Sequence, residues 1–188
     1  MLPIETVAVV GASEAGTTCA VFAALAGCTV RVYDASDVAL DRAFETVRGR
    51  VELAFAAGAV TRAERQRILD GVLFTPDLDE ALTGADLAVD ATVTAAEEID
   101  AHLAGALRAT AAVAVAGGRA AADVASRLPQ PSRVLAIELA EAHGPVPRID
   151  VRPAPATSPH VLECAQAFVA RVNRAWRTST PLDRTGRR

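Results

Sequence analysis

Residues 6–34 read TVAVVGASEAGTTCAVFAALAGCTVRVYD, and this stretch decides the fold. Val7 to Val10 form a continuous apolar run, the pattern of a parallel strand covered on both faces, and Gly11 breaks it. A helix follows, with Ala20, Val21, Ala23, Ala24 and Leu25 as its apolar stripe and Gly27 as its stop. Residues 28–33 alternate apolar and polar as a second strand, and Asp34 stands at its end. A strand, a glycine turn, a helix and a second strand closed by an acid about twenty residues past the glycines is the βαβ unit that holds a dinucleotide. In such a unit the acid takes the adenosine ribose.

The turn departs from the full G-x-G-x-x-G pattern, since its three positions are Gly11, Ser13 and Gly16. The first glycine makes the turn and the third lets helix and strand pack closely, and both are kept. The second lets the backbone approach the pyrophosphate, and that place now carries a serine side chain. Glu14 follows in the first helical turn, where its carboxylate satisfies the helix dipole that would otherwise attract phosphate. The architecture is therefore expected to persist, with dinucleotide binding weakened or lost. Asp34 either binds a ribose or caps the turn that follows it.

With 188 residues the chain has room for one domain with a sizeable core. Its 51% hydrophobic and 22% charged residues are those of a soluble globular protein. There is no secretory n-region or h-region and no apolar run of membrane-spanning length, so a cytoplasmic protein without membrane association is expected. Cys19, Cys28 and Cys164 are isolated and odd in number, which argues for buried thiols over a disulfide framework or a zinc site. A net charge of −4 with scattered arginines offers no basic face to nucleic acid. All 19 basic residues are arginine, so Schiff-base chemistry on a lysine is excluded.

Beyond Asp34 the pattern keeps alternating between helix and strand. Ser36 caps a long helix that stops at Gly58, and Thr61 with Glu64 forms a capping box on a shorter one. Strands are expected over 72–74, 85–91, 111–116, 133–139 and 149–151, with helical segments over 77–82, 95–107 and 120–128. Asp90, the one acid in its strand, is read as a partner for local backbone. Gly117 and Gly118 are read either as a strand-to-helix turn or as amides offered to an anion. Thr157, Ser158 and Pro159 open a last helix that runs to about Trp176, whose indole is read as a core anchor. The expected architecture is a single-domain α/β fold over residues 1–178, a doubly wound Rossmann-like parallel sheet with helices on both faces, followed by a polar tail over 179–188.

In order and in spacing, VAVVGASEAG with FAALAGCTVRVYD, then DLAVDA, LPQPSRVLAIEL, GPVPRIDV and TSPHVLECAQAF, the chain resembles the NAD-binding domain of 3-hydroxyacyl-CoA dehydrogenases. The resemblance covers nearly the whole chain. It implies NAD as cofactor and an acyl-CoA whose 3-hydroxyl is oxidised by a His base, with a Glu orienting the His and Ser and Asn holding the substrate oxygen. Carried over without gaps, the His position falls on Glu138, the Asn on Glu141 and the orienting Glu on Asp150. The Ser position falls on Gly117. Only Asp150 is a conservative replacement.

An imidazole accepts a proton near neutral pH, whereas a carboxylate does so weakly unless its surroundings raise its affinity for protons. Hydroxyacyl-CoA oxidation is therefore expected to be absent or feeble. Glu138, Glu141 and His143 follow the C-terminal end of a strand, where open α/β sheets bind ligands. They are read either as a replacement acid/base set or as solvated loop residues. His143 has no counterpart in the family. The family also continues into an all-helical domain that closes the acyl pocket, while this sequence ends at Arg188, so a homodimer or a protein partner is expected to take that place.

Three functions follow as alternatives. The first is acid/base chemistry (cyclisation, dehydration or isomerisation) on a small-molecule or acyl-thioester substrate. The second is an NAD-dependent oxidoreductase completed by a partner. The third is a non-catalytic module that binds a nucleotide or a protein.

Overall fold

Val7, Ala8, Val9 and Val10 are all completely buried, which explains why their strand reads as one unbroken apolar run. Val7 and Val9 face one core layer, and Ala8 and Val10 face the other. The computed structural model describes residues 3–58, 60–92, 97–108, 112–116, 120–140 and 148–179. Its strands are β1 (Thr6–Val10), β2 (Thr29–Tyr33), β3 (Val72–Thr75), β4 (Leu87–Asp90), β5 (Ala112–Ala116), β6 (Val134–Ala140) and β7 (Arg148–Pro153). Its helices are α1 (Glu14–Leu25), α2 (Asp37–Ala56), α3 (Arg62–Asp70), α4 (Leu78–Leu82), α5 (Glu97–Arg108), α6 (Ala121–Arg127) and α7 (Pro159–Ser179).

The strands form one sheet in the order β3-β2-β1-β4-β5-β6-β7. One core layer joins it to α1, α2, α3 and α7 through residues such as Phe22, Val47, Ile68 and Phe168. The other joins it to α4, α5 and α6 through Leu78, Leu103 and Val124. The single-domain Rossmann-like α/β architecture is thus as the sequence indicates.

One strand runs the other way. β1 to β6 pair in parallel, while β7 pairs with β6 antiparallel, so the sheet is mixed at that edge. The cause is the length of the connection: residues 141–147 are too few for the crossover of a dozen or more that a parallel return needs. Helix starts follow the expected caps. Ser36 accepts from the Ala39 amide, and Thr61 and Glu64 close the reciprocal capping box. The Ser158 hydroxyl accepts from the Val161 amide at the start of α7.

Arg171 ties α7 to the beginning of the chain. It donates to the Ile4 carbonyl and to Cys28 Sγ, and its guanidinium lies 5.7 Å from the Phe168 ring centroid. No helix among the described residues is long and apolar enough to cross a membrane. The Trp176 indole, Gly117, Gly118, Glu141, His143 and the tail from 180 lie outside the described residues.

Candidate functional site

The order in which strands join the sheet reverses between β1 and β4, the switch point where open α/β sheets leave a crevice. The β1–α1 turn borders it. Gly11 has φ +100°, and a Cβ there would lie 3.1 Å from the Ala91 carbonyl atoms. A Cβ on Gly16 would lie 2.0 Å from the Gly11 carbonyl oxygen, a distance no side chain tolerates. Both retained glycines are therefore required by the packing of the turn itself.

Ser13 takes a different part. As N-cap of α1 it accepts from the Gly16 amide at 3.2 Å, and its hydroxyl donates to the Ala91 carbonyl at 2.9 Å. The side chain thus bridges the turn to the end of β4. Asp34 also turns inward: Oδ2 accepts from the Ala12 amide at 2.9 Å and Oδ1 from the Ser36 amide at 3.0 Å. Of the two roles considered for Asp34, the turn cap is thus present. Glu14 is exposed in the first turn of α1. Asp90, fully buried, accepts from the Thr92 amide and hydroxyl at 3.1 and 2.7 Å, the local role expected of it. A cleft of about 220 Å³ is lined by Gly11, Ser13, Tyr33, Asp34, Ala35, Ala91, Thr92 and Ile99.

A second group lies at the other end of the sheet. Glu138 and Asp150 are direct cross-strand partners on β6 and β7, and their neighbours Ile137, Leu139, Ile149 and Val151 all pack toward α1 and α7. Alternation therefore puts both carboxylates on the opposite face. Arg152, two residues along β7, shares that face, and its Nε stands 2.7 Å from Glu138 Oε2. Sequence reasoning missed Arg152 because it took the sheet as parallel; in the antiparallel register Asp150 lies opposite Glu138 and Arg152 opposite Ala136, one diagonal step from Glu138 on the same face. Glu141 and His143 cannot be placed beside this pair, being outside the described residues.

A third feature was also missed. Asp100 on α5 is only 8% exposed and pairs with Arg127 of α6 at 3.4 Å, beside an open cleft of about 460 Å³. The thiols are buried or half-buried: burial pushes Cys19 up to about 12, and burial raises Cys28 despite the Arg171 guanidinium beside it. Among the described residues no cluster of three or more His, Cys, Asp or Glu side chains could hold a metal ion.

Residues 6–176 match the family described as 3-hydroxyacyl-CoA dehydrogenase, NAD binding domain. A 3-hydroxybutyryl-CoA dehydrogenase of Mycobacterium tuberculosis is 34% identical over 90 residues, which cover 48% of this chain and 31% of that protein. A 3-hydroxyadipyl-CoA dehydrogenase of Escherichia coli is 34% identical over 91 residues, 48% of this chain and 19% of the relative. Among solved structures, a diketoreductase superposes with a TM-score of 0.80 at 24% identity, over 92% of this chain and 62% of that one, a likeness of fold. The matches thus cover less than two thirds of each of these relatives.

Proposed function

Because the chain belongs to the 3-hydroxyacyl-CoA dehydrogenase NAD-binding domain family, we propose that it is a divergent member whose oxidation machinery has given way to acid/base chemistry. The substrate class is a CoA- or carrier-linked acyl thioester, and the reaction a cyclisation, dehydration or isomerisation. The observation that carries this reading is the cross-strand pair Glu138 and Asp150, with Arg152 2.7 Å from Glu138. Removing a proton beside a thioester carbonyl needs a base and a donor for the oxygen on which charge develops. Glu138 is the base in this reading and Asp150 its cross-strand partner, while Arg152 leaves the Glu138 carboxylate to donate to that oxygen. Glu141 and His143 complete the set.

NAD binding is weakened or lost in this proposal. The donor set supports that: the Ala12 and Gly16 amides are engaged by Asp34 and Ser13, and Glu14 puts a negative charge in the first turn of α1. No hydride step is assigned to the chain. A second reading, a non-catalytic binding module, is favoured by the exposure of the Glu138–Arg152 pair, whose Arg side chain is 71% exposed.

The test follows α-proton exchange into deuterated water for 3-ketoacyl- and 3-hydroxyacyl-CoA thioesters, which registers proton removal whatever the product. Exchange that falls about 10²–10⁴-fold in Glu138→Gln, with unfolding unchanged, is expected. Exchange unaltered by that substitution removes Glu138 as the base, and no exchange by the native chain favours the binding module.

A further inference from the structure

β7 is an edge strand with β6 on one side only, so every second residue turns its backbone N–H and C=O outward. At Ile149 both outward groups are taken by one side chain. The Ile149 amide donates to Asn173 Oδ1 at 3.2 Å, and Asn173 Nδ2 donates to the Ile149 carbonyl at 2.8 Å. The carboxamide thus presents the donor and the acceptor that a further strand would offer. It reaches this place from α7, where Val169 and Val172 are buried against the sheet and the half-buried Asn173 follows at the margin of that face.

The two bonds fix which pairs of the β6–β7 ladder exchange hydrogen bonds. With its groups turned outward, Ile149 stands opposite Leu139 without bonding to it, and Glu138 with Asp150 is a hydrogen-bonded pair. A slip of β7 by one residue would turn its side chains over, carrying Asp150 and Arg152 to the face that packs on α1 and α7. The far end of β7 is anchored separately: the Ala154 amide donates to the Thr157 hydroxyl at 2.6 Å, and that hydroxyl donates to the Val134 carbonyl. Asn173 holds the opposite end, next to Asp150.

We infer that Asn173 is a positioning residue for the face that carries Glu138, Asp150 and Arg152, acting through the Ile149 backbone to hold the register that sets Asp150 opposite Glu138. The inference rests on the reading that this face removes a proton from an acyl thioester, and it names what fixes the geometry of that site from the far side of the strand.

α-Proton exchange of a 3-ketoacyl-CoA thioester in deuterated water, followed for the full chain and for its Asn173→Ala, Asn173→Asp and Val161→Ala variants, tests it. Asn173→Ala is expected to lower exchange at saturating thioester about 10–100-fold, with the half-saturating concentration unchanged. Asn173→Asp keeps the acceptor but loses the donor at the same size, and is expected to lose nearly as much. Val161→Ala thins the packing of the same helix on the core, so it lowers the urea midpoint while exchange stays at the native rate. Hydrogen exchange of the Ile149 amide itself is expected to quicken in Asn173→Ala. No thioester exchange by the native chain overturns both this inference and the acid/base reading. A native rate in Asn173→Ala or Asn173→Asp, a loss that Val161→Ala reproduces, or an Ile149 amide indifferent to Asn173→Ala overturns the inference alone.

Discussion

Three residues of the first turn divide between packing and capping. Gly11 and Gly16 are fixed by contacts within the protein: a positive φ at one, and a Cβ 2.0 Å from a backbone oxygen at the other. Ser13 stands where the glycine of a dinucleotide turn serves the ligand, and the turn closes with a side chain there. Gly16→Ala is accordingly expected to destabilise by about 1–3 kcal/mol or more, since the colliding atom is backbone. Ser13→Gly is expected to cost less, about 1 kcal/mol for the lost hydrogen bond to the Ala91 carbonyl, as glycine replaces a serine cap almost without loss. Urea unfolding of the two variants checks the contrast, and equal losses would contradict it. The glycines and Asp34 were legible in the sequence because turn geometry is local. The inward hydrogen bonds of Ser13 to Ala91 and of Asp34 to Ala12 were not, because their partners are set by the meeting of separate strands.

Among the elements, α3 was fully legible. Thr61 and Glu64 lie three residues apart and need nothing from the rest of the chain to close their box. Hydrogen bonds from the Thr61 amide and hydroxyl hold the Glu64 carboxyl below its ordinary range. A carboxyl lowered on folding stabilises the native state above the ordinary glutamate value of about 4.3, and that stabilisation is lost as pH falls below it. Thr61→Ala is expected to cost about 1 kcal/mol near neutral pH, with a smaller loss at acid pH where Glu64 is protonated in both states. Thermal unfolding across that range measures the difference, and a pH-independent loss would contradict it. β7 was legible as a strand but not in direction, because its own residues alternate alike in either sense. The signal lay in the short span 141–147, and with it the position of Arg152 beside Glu138.

At the scale of the molecule, the two core layers meet in strands buried on both faces, so the cost of a cavity there is large. Leu135, completely buried between β5 and β7, is expected to cost about 2–5 kcal/mol when replaced by alanine. The exposed apolar residues lie outside that core. Val38 and Leu53, 59% and 71% exposed on α2, are the side chains that self-association would cover. A dimer in sedimentation that Leu53→Glu disperses is the expected outcome; a monomer, or a dimer indifferent to the change, would contradict it. The overall architecture was legible from alternating helix and strand patterns, whereas the Asp100–Arg127 pair between α5 and α6 was not, since it depends on how two helices settle on one sheet. The chain keeps the packing glycines of a dinucleotide fold, and in the proposed reading its cofactor-facing position has been given up. Calorimetric titration of NAD into the native chain and into Ser13→Gly/Glu14→Thr tests it most directly. Heat of binding from the variant alone is the predicted result, and micromolar binding by the native chain would contradict the account.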